Sequence, residues 1–473
     1  MAEEFDYEKL GFRCGIEIHQ QLEGKKLFCS CPSIIRKDKP HFQALRRLRA
    51  SAGETGKIDA AAEHEAKKDK YFIYHGYHDT TCLVELDEEP PHSVNEEALQ
   101  TALEVAKMLN CEIVDEIQFM RKTVVDGSNT SGFQRTALIG LNGWIEVQGK
   151  KIGIPTVCLE EEACQVIKRT EEYDIYNLSR LGIPLIEIAT DPDITSPEEA
   201  EEAAAKIGMI LRSTGKVKRG IGTIRQDVNL SIKGGARIEI KGFQDLKSIP
   251  KVIRNEIKRQ LAIINQGKKV SSEVRKAEPD FTTSFLRPMP GADRMYPETD
   301  VPTIKPDTSS IKQHKLLDEK AEEWQKNYGI PADTAKMLVK KDIPFDDLVK
   351  EFSNADPKII ATTITSSLTE VRRKFKKDIR WEETKELLSV LNEGKISKDA
   401  IIPILEEYAQ NGKYIFDKYF LLSDEEVERI VQKVLEENRG APIGALMGKA
   451  MAQLKGKADG KKVMQLIQKN LKR

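Results

Sequence analysis

Short alternating runs of apolar and polar residues dominate the chain up to about residue 305. In Gly15-Ile16-Glu17-Ile18-His19-Gln20, isoleucines alternate with a carboxylate and an imidazole. That is the period-two signature of a strand with one apolar face. Residues 15–20, 144–148, 185–189, 223–232 and 237–241 are predicted as strands on this basis. The tripeptide Ile-Glu-Ile occurs at 16–18 and returns at 186–188 and 238–240. The clearest helix begins at Ser196-Pro197-Glu198-Glu199. Ser196 suits the cap, Pro197 the first helical position, and Glu199 a capping box. The helix is expected to run to about Thr214 and stop at Gly215.

Strands and helices mix without a regular β-α-β alternation. The fold class expected is α+β, with a mixed, largely antiparallel sheet forming a cradle domain over residues 1–307. The stretch 288–307, rich in proline and turn residues, reads as the edge of that domain. Beyond it the spacing is helical, as in Ile443, Leu446, Met447, Ala450 and Leu454, and again in Val463, Leu466, Ile467 and Leu471. All-helical middle and tail domains are predicted over 308–395 and 396–473. No repeat of fixed period and no low-complexity segment interrupts the chain.

The candidate chemistry is acidic. Taken singly, Glu17 and Glu239 read as outward residues on solvated strand faces. Glu187 differs, because Pro184-Leu185-Ile186-Glu187-Ile188-Ala189 is apolar on both sides and reads as buried on both faces. A buried carboxylate needs a cation or a metal as partner. Asp191 and Asp193 follow directly. Glu160-Glu161-Glu162 ends an apolar run and reads equally as an acidic helix start or as a ligand cluster. Alternation puts Arg225, Asp227, Asn229 and Ser231 on one face, an oxygen-rich set that suits Mg²⁺ and phosphate. Arg237 and Lys241 flank Glu239 on its own face and suit phosphate oxygens. The polar loop 126–132, with Ser128, Asn129 and Ser131, is either a surface turn or a source of backbone N–H groups for phosphate. The chain lacks a G-x-x-x-x-G-K-[ST] loop, a strand-linked G-x-G-x-x-G and a G-x-S-x-G elbow.

Composition narrows the class. With 39% hydrophobic and 32% charged residues, the chain reads as a soluble globular protein. No run approaches the roughly 18 apolar residues of a membrane span. The acidic start MAEEFDYEKL has no apolar core of a secretory signal, so a cytoplasmic location is expected. Seven scattered cysteines do not suggest a disulfide framework. Cys29 and Cys31 form a lone C-x-C with no second close pair nearby, so free thiols are expected rather than zinc. The net charge is −1, yet residues 441–473 carry eight basic residues and one acid. That end suits either a polyanion contact or a solvated helix face.

Several motifs, in order, give a resemblance. GIEIHQQL, KLFCSCP, AGETGKID, VDGSNTSGFQRT, SRLGIPLIEIATDPDI, RQDVNLSI and RMYPETDVP resemble the GatB/GatE family of tRNA-dependent amidotransferases, nearest its archaeal E branch. MGKAMAQLKGKADGKKV resembles the family's tail domain. The resemblance implies ATP-dependent amidation of glutamate mischarged on tRNA(Gln), through a γ-phosphoryl intermediate, with ATP and Mg²⁺ as cofactors. It implies His19, Glu161 and Glu187 as ligands of one metal, although from chemistry alone His19 reads as a hydrogen-bonding residue. It implies Glu17, Asp227 and Glu239 as a second acidic cluster, a metal site or an ammonia path, with Lys241 beside it. Arg225, Lys241 and the 126–135 loop, with Ser128, Asn129, Ser131 and Arg135, are then candidates for ATP or the activated glutamate. The basic tail, with Lys449, Lys455, Lys457, Lys461 and Lys462, becomes a candidate for tRNA phosphates. No asparaginase or amidase signature is present, so ammonia is expected from an asparaginase-like GatD partner, in a heterodimer that pairs into a heterotetramer. Neither a membrane nor DNA is an expected partner. Only Gly267 to Glu273 stands where the E branch usually carries an inserted domain resembling part of bacterial aspartyl-tRNA synthetases. A GatB-type protein with an amidase partner, or a non-catalytic tRNA-binding scaffold, are the alternatives.

Overall fold

A computed structural model of the chain describes residues 5–48, 68–243, 245–289, 295–309, 311, 314–341, 343–454, 457–458 and 460–471. The AGETGKID motif and Lys455 lie outside these residues. Two units are distinct, Met1–His314 and Lys315–Arg473.

The first unit is built on strands β1 (Arg13–Gln21), β2 (Phe42–Arg46) and β3 (Tyr71–Gly76), then helix α1 (Glu96–Met108). Next come β4 (Glu112–Ile113), β5 (Phe119–Thr123), β6 (Phe133–Val147), β7 (Lys150–Glu161), β8 (Gln165–Arg169), β9 (Tyr173–Asn177) and β10 (Pro184–Ala189). Helix α2 (Pro197–Ser213) leads to β11 (Ile224–Ser231) and β12 (Ile238–Phe243). Helix α3 (Ile249–Asn265) leads to β13 (Glu273–Ala277), β14 (Thr283–Pro288) and β15 (Met295–Pro297). The large sheet runs β14-β13-β12-β11-β1-β10-β7-β6-β5-β15, with β4 beside β6. Its pairings are antiparallel except β12 with β13, which α3 joins as a crossover. A second sheet runs β2-β3-β9-β8. The expected α+β class and all five predicted strands are present.

Helix α2 starts as its sequence demands. The Ser196 hydroxyl accepts the Glu199 amide at 3.1 Å. Glu199 does not complete the expected capping box. Its carboxylate reaches one residue further back, to the Thr195 amide at 2.6 Å, where Lys150 also meets it. The 160–162 acids end a strand rather than start a helix.

Gly143 in β6 allows a close approach. A Cβ there would lie 2.3 Å from Cys111 Sγ and 2.6 Å from the Leu109 carbonyl. Gly143→Ala is expected to destabilise the first unit by about 1–3 kcal/mol through overpacking. Urea unfolding checks this, and an unchanged midpoint would show that the loop after α1 yields freely.

The second unit is helical. One hydrophobic cluster gathers Trp324, Leu338, Phe345 and Ile364, and another gathers Val371, Leu387, Ile396, Leu405 and Tyr419. A third, with Val427, Val431, Leu446 and Val463, belongs to the last three helices. The expected break near residue 395 therefore falls inside a packed cluster, because Leu387 and Ile396 share a core. Packing changes instead between Tyr419 and Leu422. Among the described residues no helix is long and apolar enough to cross a membrane.

Candidate active site

Register gathers the site on one face of the large sheet. His19 of β1 lies between Glu187 of β10 and Arg225 of β11, and Glu17 lies opposite Asp227. Asn229 in turn faces Glu239 of β12. Residues two apart on a strand share a face, so these side chains converge from four strands. The three Ile-Glu-Ile tripeptides are three of those strands, and their isoleucines are buried.

His19 Nε2 lies 3.1 Å from Glu187 Oε2 and 3.3 Å from Glu17 Oε1. One donor atom from each of the three residues lies within 4.8 Å of the others. Burial opposes a charge on His19, but the hydrogen bond and charge of Glu187, with Glu17 behind it, push its pKa up to about 9. Burial and the Glu187 carboxylate raise Glu17 to about 7. Glu187 is held well below the usual carboxylate range: against its burial, Lys122 and then His19 favour the charge. Lys122 Nζ is 3.7 Å from Glu187 and 2.7 Å from Glu160. The strand carrying Glu187 is less enclosed than its sequence suggested, for the Glu187 side chain keeps 17% of its exposure.

A second group stands beside the first. Lys241 Nζ is 2.6 Å from Asp227 Oδ2 and 2.5 Å from Glu239 Oε1. These carboxylates outweigh burial and raise the lysine pKa. Arg237 donates to Asn229 Oδ1 at 3.1 Å. Arg225 donates to Glu162 Oε1 at 3.0 Å, and Gln21 donates to Glu162 Oε2 at 3.0 Å.

Glu161 does not join His19 and Glu187. Glu187 pairs with Cys158, so Glu160, two residues on, shares its face and Glu161 takes the other. There Glu161 Oε1 accepts the Arg135 amide at 3.0 Å and faces its guanidinium at 3.4 Å. Arg135 also donates to Glu298 Oε2 at 2.7 Å, and Arg121 holds Oε1 of the same carboxylate at 2.6 Å. Arg135 is thus separated from Arg225 by the sheet. Ser131, Arg135 and Glu161 line a cleft with Phe28, Glu85 and Thr130, with room for about one water molecule, far too small for a nucleotide. Ser128 donates to Asp126 Oδ1 at 2.6 Å, and Ser131 to the Phe133 carbonyl at 3.0 Å. Asn129 is buried and its Nδ2 has no partner. The loop's polar groups are largely spent on the loop itself.

In the tail, Lys449 bonds Asn438 and Lys462 bonds Asp424. Lys461 is exposed and Lys457 half-buried.

Sequence reasoning missed Lys122, and within the cluster 160–162 the resemblance singled out Glu161 where Glu160 and Glu162 face the site. Nothing local marks Lys122, which reaches the site only because β5, β6 and β7 are neighbours. A strand register for β7 would have favoured Glu160 and Glu162 over Glu161.

The donors fit a divalent cation. One imidazole and two carboxylates converge within 4.8 Å, and each of the three side chains keeps some exposure, so a bound ion would also meet water or phosphate oxygen. His19, Glu187 and Glu17 would hold the ion. Lys122, Arg225 and Lys241 put positive charge around it.

A GatB/GatE catalytic-domain model matches residues 12–312, and a GatB-domain model matches residues 344–471. The chain is 38% identical to the E-type chain of glutamyl-tRNA(Gln) amidotransferase from Methanococcus maripaludis strain S2 over 633 aligned positions, 99% of each chain. It is 38% identical to the E-type chain of the same amidotransferase from Methanocaldococcus jannaschii, over 99% of this chain and 100% of that one. To the E-type chain from Archaeoglobus fulgidus it is 36% identical, over 99% of each. The first alignment spreads 473 residues over 633 positions, so at least 160 positions face a gap here.

Proposed function

This chain belongs to the GatB/GatE family, and from that premise we propose that its acidic sheet face converts Glu-tRNA(Gln) to Gln-tRNA(Gln). The amidotransferase activity is a ligase activity, shared with the relatives named glutamyl-tRNA(Gln) amidotransferase. In this reading ATP phosphorylates the glutamate γ-carboxylate, and ammonia displaces phosphate. A bound Mg²⁺ supplies charge neutralisation at the phosphates. The chain's own groups do the rest by position and charge. Glu17, His19 and Glu187 fix where the ion sits. Lys122 and Arg225 face the negative charge that develops on the transferred phosphoryl group. Asp227 and Glu239 already hold the ammonium group of Lys241 between them, and an incoming ammonium ion would meet the same carboxylates. Either carboxylate can take the proton that ammonia sheds as the amide forms. No protein nucleophile is needed. Ammonia comes from a separate asparaginase-like GatD partner, and the enzyme works in the cytoplasm. The at least 160 gapped positions agree with loss of the inserted domain between α3 and β13.

The acceptor end of the tRNA needs a seat near His19. Residues 203–226 contain six Lys or Arg and no acid. Their central turn is pinned to the end of β1: the Gln20 side-chain Nε2 donates to the Lys218 carbonyl at 3.0 Å and the Thr223 carbonyl at 3.2 Å. Gln21 is two residues from His19, roughly 7 Å along the strand. Lys216, Arg219 and a 95%-exposed Ile221 thus stand at the end of the strand that carries His19. Lys216→Ala with Arg219→Ala is expected to weaken tRNA binding and to flatten its salt dependence by about 1.5 units of slope. Filter binding across salt checks this, and an unaltered slope would remove phosphate contact from this turn.

The observation that carries the function is the convergence of Glu17, His19 and Glu187 beside the Lys241 group. The test is to incubate the purified chain with Glu-tRNA(Gln), ATP, Mg²⁺ and free ammonia. Gln-tRNA(Gln) is expected without a partner protein. If neither product nor ATP cleavage appears when the partner is also added, the catalytic reading fails.

A further inference from the structure

The Glu162 carboxylate is far more enclosed than Glu17 or Glu187, with 2% of its side chain exposed against 27% and 17%. It is charged all the same. Against its burial, Arg225 and then Arg180 hold its pKa below the usual carboxylate range. Both of its oxygens are committed. Oε1 accepts from Arg225 Nη2 at 3.0 Å and from the Ala163 amide at 3.2 Å, and Oε2 accepts from Gln21 Nε2 at 3.0 Å. The Glu162 amide donates to the Ile183 carbonyl at 2.8 Å, and its carbonyl accepts the Gly182 amide at 2.9 Å. Arg180 donates to the Ala163 and Cys164 carbonyls at 2.8 and 2.6 Å, so the chain just beyond Glu162 is held too.

Gln21 shows how firmly the carboxylate is braced. An ionised carboxylate only accepts, so the Gln21 amide must present Nε2 to it. The Gln21 oxygen is then buried without a partner. Buried polar groups are seldom left so. Holding Glu162 is thus favoured over satisfying Gln21 itself.

Arg225 stands at the other end of these contacts, on the edge of the site. It lies opposite His19 in the β1–β11 register and keeps 37% of its side-chain exposure. A guanidinium carries five N–H donors. Among the described residues, Glu162 is the one hydrogen-bond acceptor that Arg225 meets. Lys241, by contrast, is spent on two carboxylates, and Lys122 bonds Glu160. Anchored by its stem on β11 and by Nη2 on an immobile carboxylate, the planar group has the directions of its remaining N–H bonds set in advance.

We propose that Glu162, braced by Gln21, is a positioning residue that holds the Arg225 guanidinium toward the phosphoryl group brought to the His19 face. This rests on the amidation reading, in which Arg225 meets that group. Glu162 itself touches neither nucleotide nor ion and acts through Arg225. Donors fixed in this way need not reorient as charge develops on the phosphoryl oxygens.

The test is a double-mutant cycle in the full chain with two readouts. One is affinity for a non-hydrolysable ATP analogue with Mg²⁺, by isothermal titration calorimetry. The other is kcat and KM for amidation of Glu-tRNA(Gln). Glu162→Ala is expected to lower kcat by about 10- to 100-fold, the usual effect of losing an outer partner, with KM for Glu-tRNA(Gln) unchanged. Arg225→Gln should lower kcat at least as much, and both variants should weaken analogue binding. In the Arg225→Gln background Glu162→Ala should add nothing, because the group it positions is gone. Glu162→Gln keeps an acceptor for Nη2 and lets Gln21 turn its oxygen to the new amide, so it should recover most of the loss. Gln21→Met leaves both charges in place, should lower kcat several-fold, and stays informative if Glu162→Ala does not fold. Equal losses from Glu162→Ala with and without Arg225 would make Glu162 merely structural and overturn the proposal, as would wild-type behaviour of Glu162→Ala. A wild-type chain that binds the analogue with the two residues coupled, yet never amidates, would refute the amidation reading and leave this inference standing. An amidating chain without the coupling would do the reverse, and a chain that neither binds the analogue nor amidates would overturn both.

Discussion

Glu187→Ala is expected to lower amidation by more than about 100-fold, beyond the usual cost of losing an outer partner of a metal ligand, while tRNA affinity stays roughly unchanged. Two losses combine. The ion would lose its strongest anionic ligand, since Glu187 is the carboxylate of this group held well below its usual pKa. His19 would lose the 3.1 Å hydrogen bond that orients its ring. The imidazole pKa, raised to about 9 chiefly by Glu187 against burial, also falls, a change that frees its lone pair and so is a readout of the lost partner rather than a cause of lost activity. Glu187→Gln keeps shape and removes charge, so it separates the two. If positioning dominates, the glutamine variant retains much of the activity; if charge dominates, it resembles alanine. The check is single-turnover formation of Gln-tRNA(Gln) over a Mg²⁺ titration, with NMR titration of His19. Wild-type turnover in the alanine variant would remove Glu187 from the site.

Arg135→Met is expected to act on stability rather than on ligand binding. The guanidinium sits between Glu161 and Glu298, both buried, and its pKa is raised by them despite its own burial. Removing one partner of a buried ion pair costs about 3–5 kcal/mol, because the remaining charge is stranded. Arg121 still holds Glu298 at 2.6 Å, and the Arg135 amide still meets Glu161, so a value near the lower end, about 3 kcal/mol, is expected. For a unit of some 314 residues that corresponds to roughly 4–5 °C in Tm. Differential scanning calorimetry reads it. An unchanged Tm together with weaker ATP binding would return Arg135 to the nucleotide.

These two residues show what the sequence made legible and where it stopped. Local alternation sufficed to put Glu17 with His19 on one face of β1, Arg225 with Asp227 on one face of β11 and Glu239 with Lys241 on one face of β12, because a period of two needs no knowledge of the partner strand, but only register makes these one face. It failed at 160–162, where three consecutive glutamates give no hint of which is inward. Only the pairing of Glu187 with Cys158 decides that. Arg135 looked like a phosphate ligand because it ends a glycine-bounded polar loop. Its true neighbour Glu298 is 163 residues away. The same distance problem hid Glu85, which accepts from the Cys29 thiol 56 residues away. The tail was legible as helix from its spacing. Its lysines were not legible as partners, since Asp424 meets Lys462 only after the last helices pack.

The crossover through α3 has an evolutionary reading. Helix α3 ends at Asn265, Gly267 turns with φ of +69°, and β13 begins at Glu273. Residues 265–269 are exposed, while Val270 and Val274 return to the core. Both ends of the link are therefore anchored, and residues 265–269 carry no core contact. Doubling its length would cost only about 0.6 kcal/mol of closure entropy. A folded module whose own termini lie close together can be spliced there, or excised, without disturbing a ladder or a ligand. The sheet behaves as a chassis with an open socket: a lineage can shed an accessory module at this point, or acquire another, and inherit the chemistry unchanged.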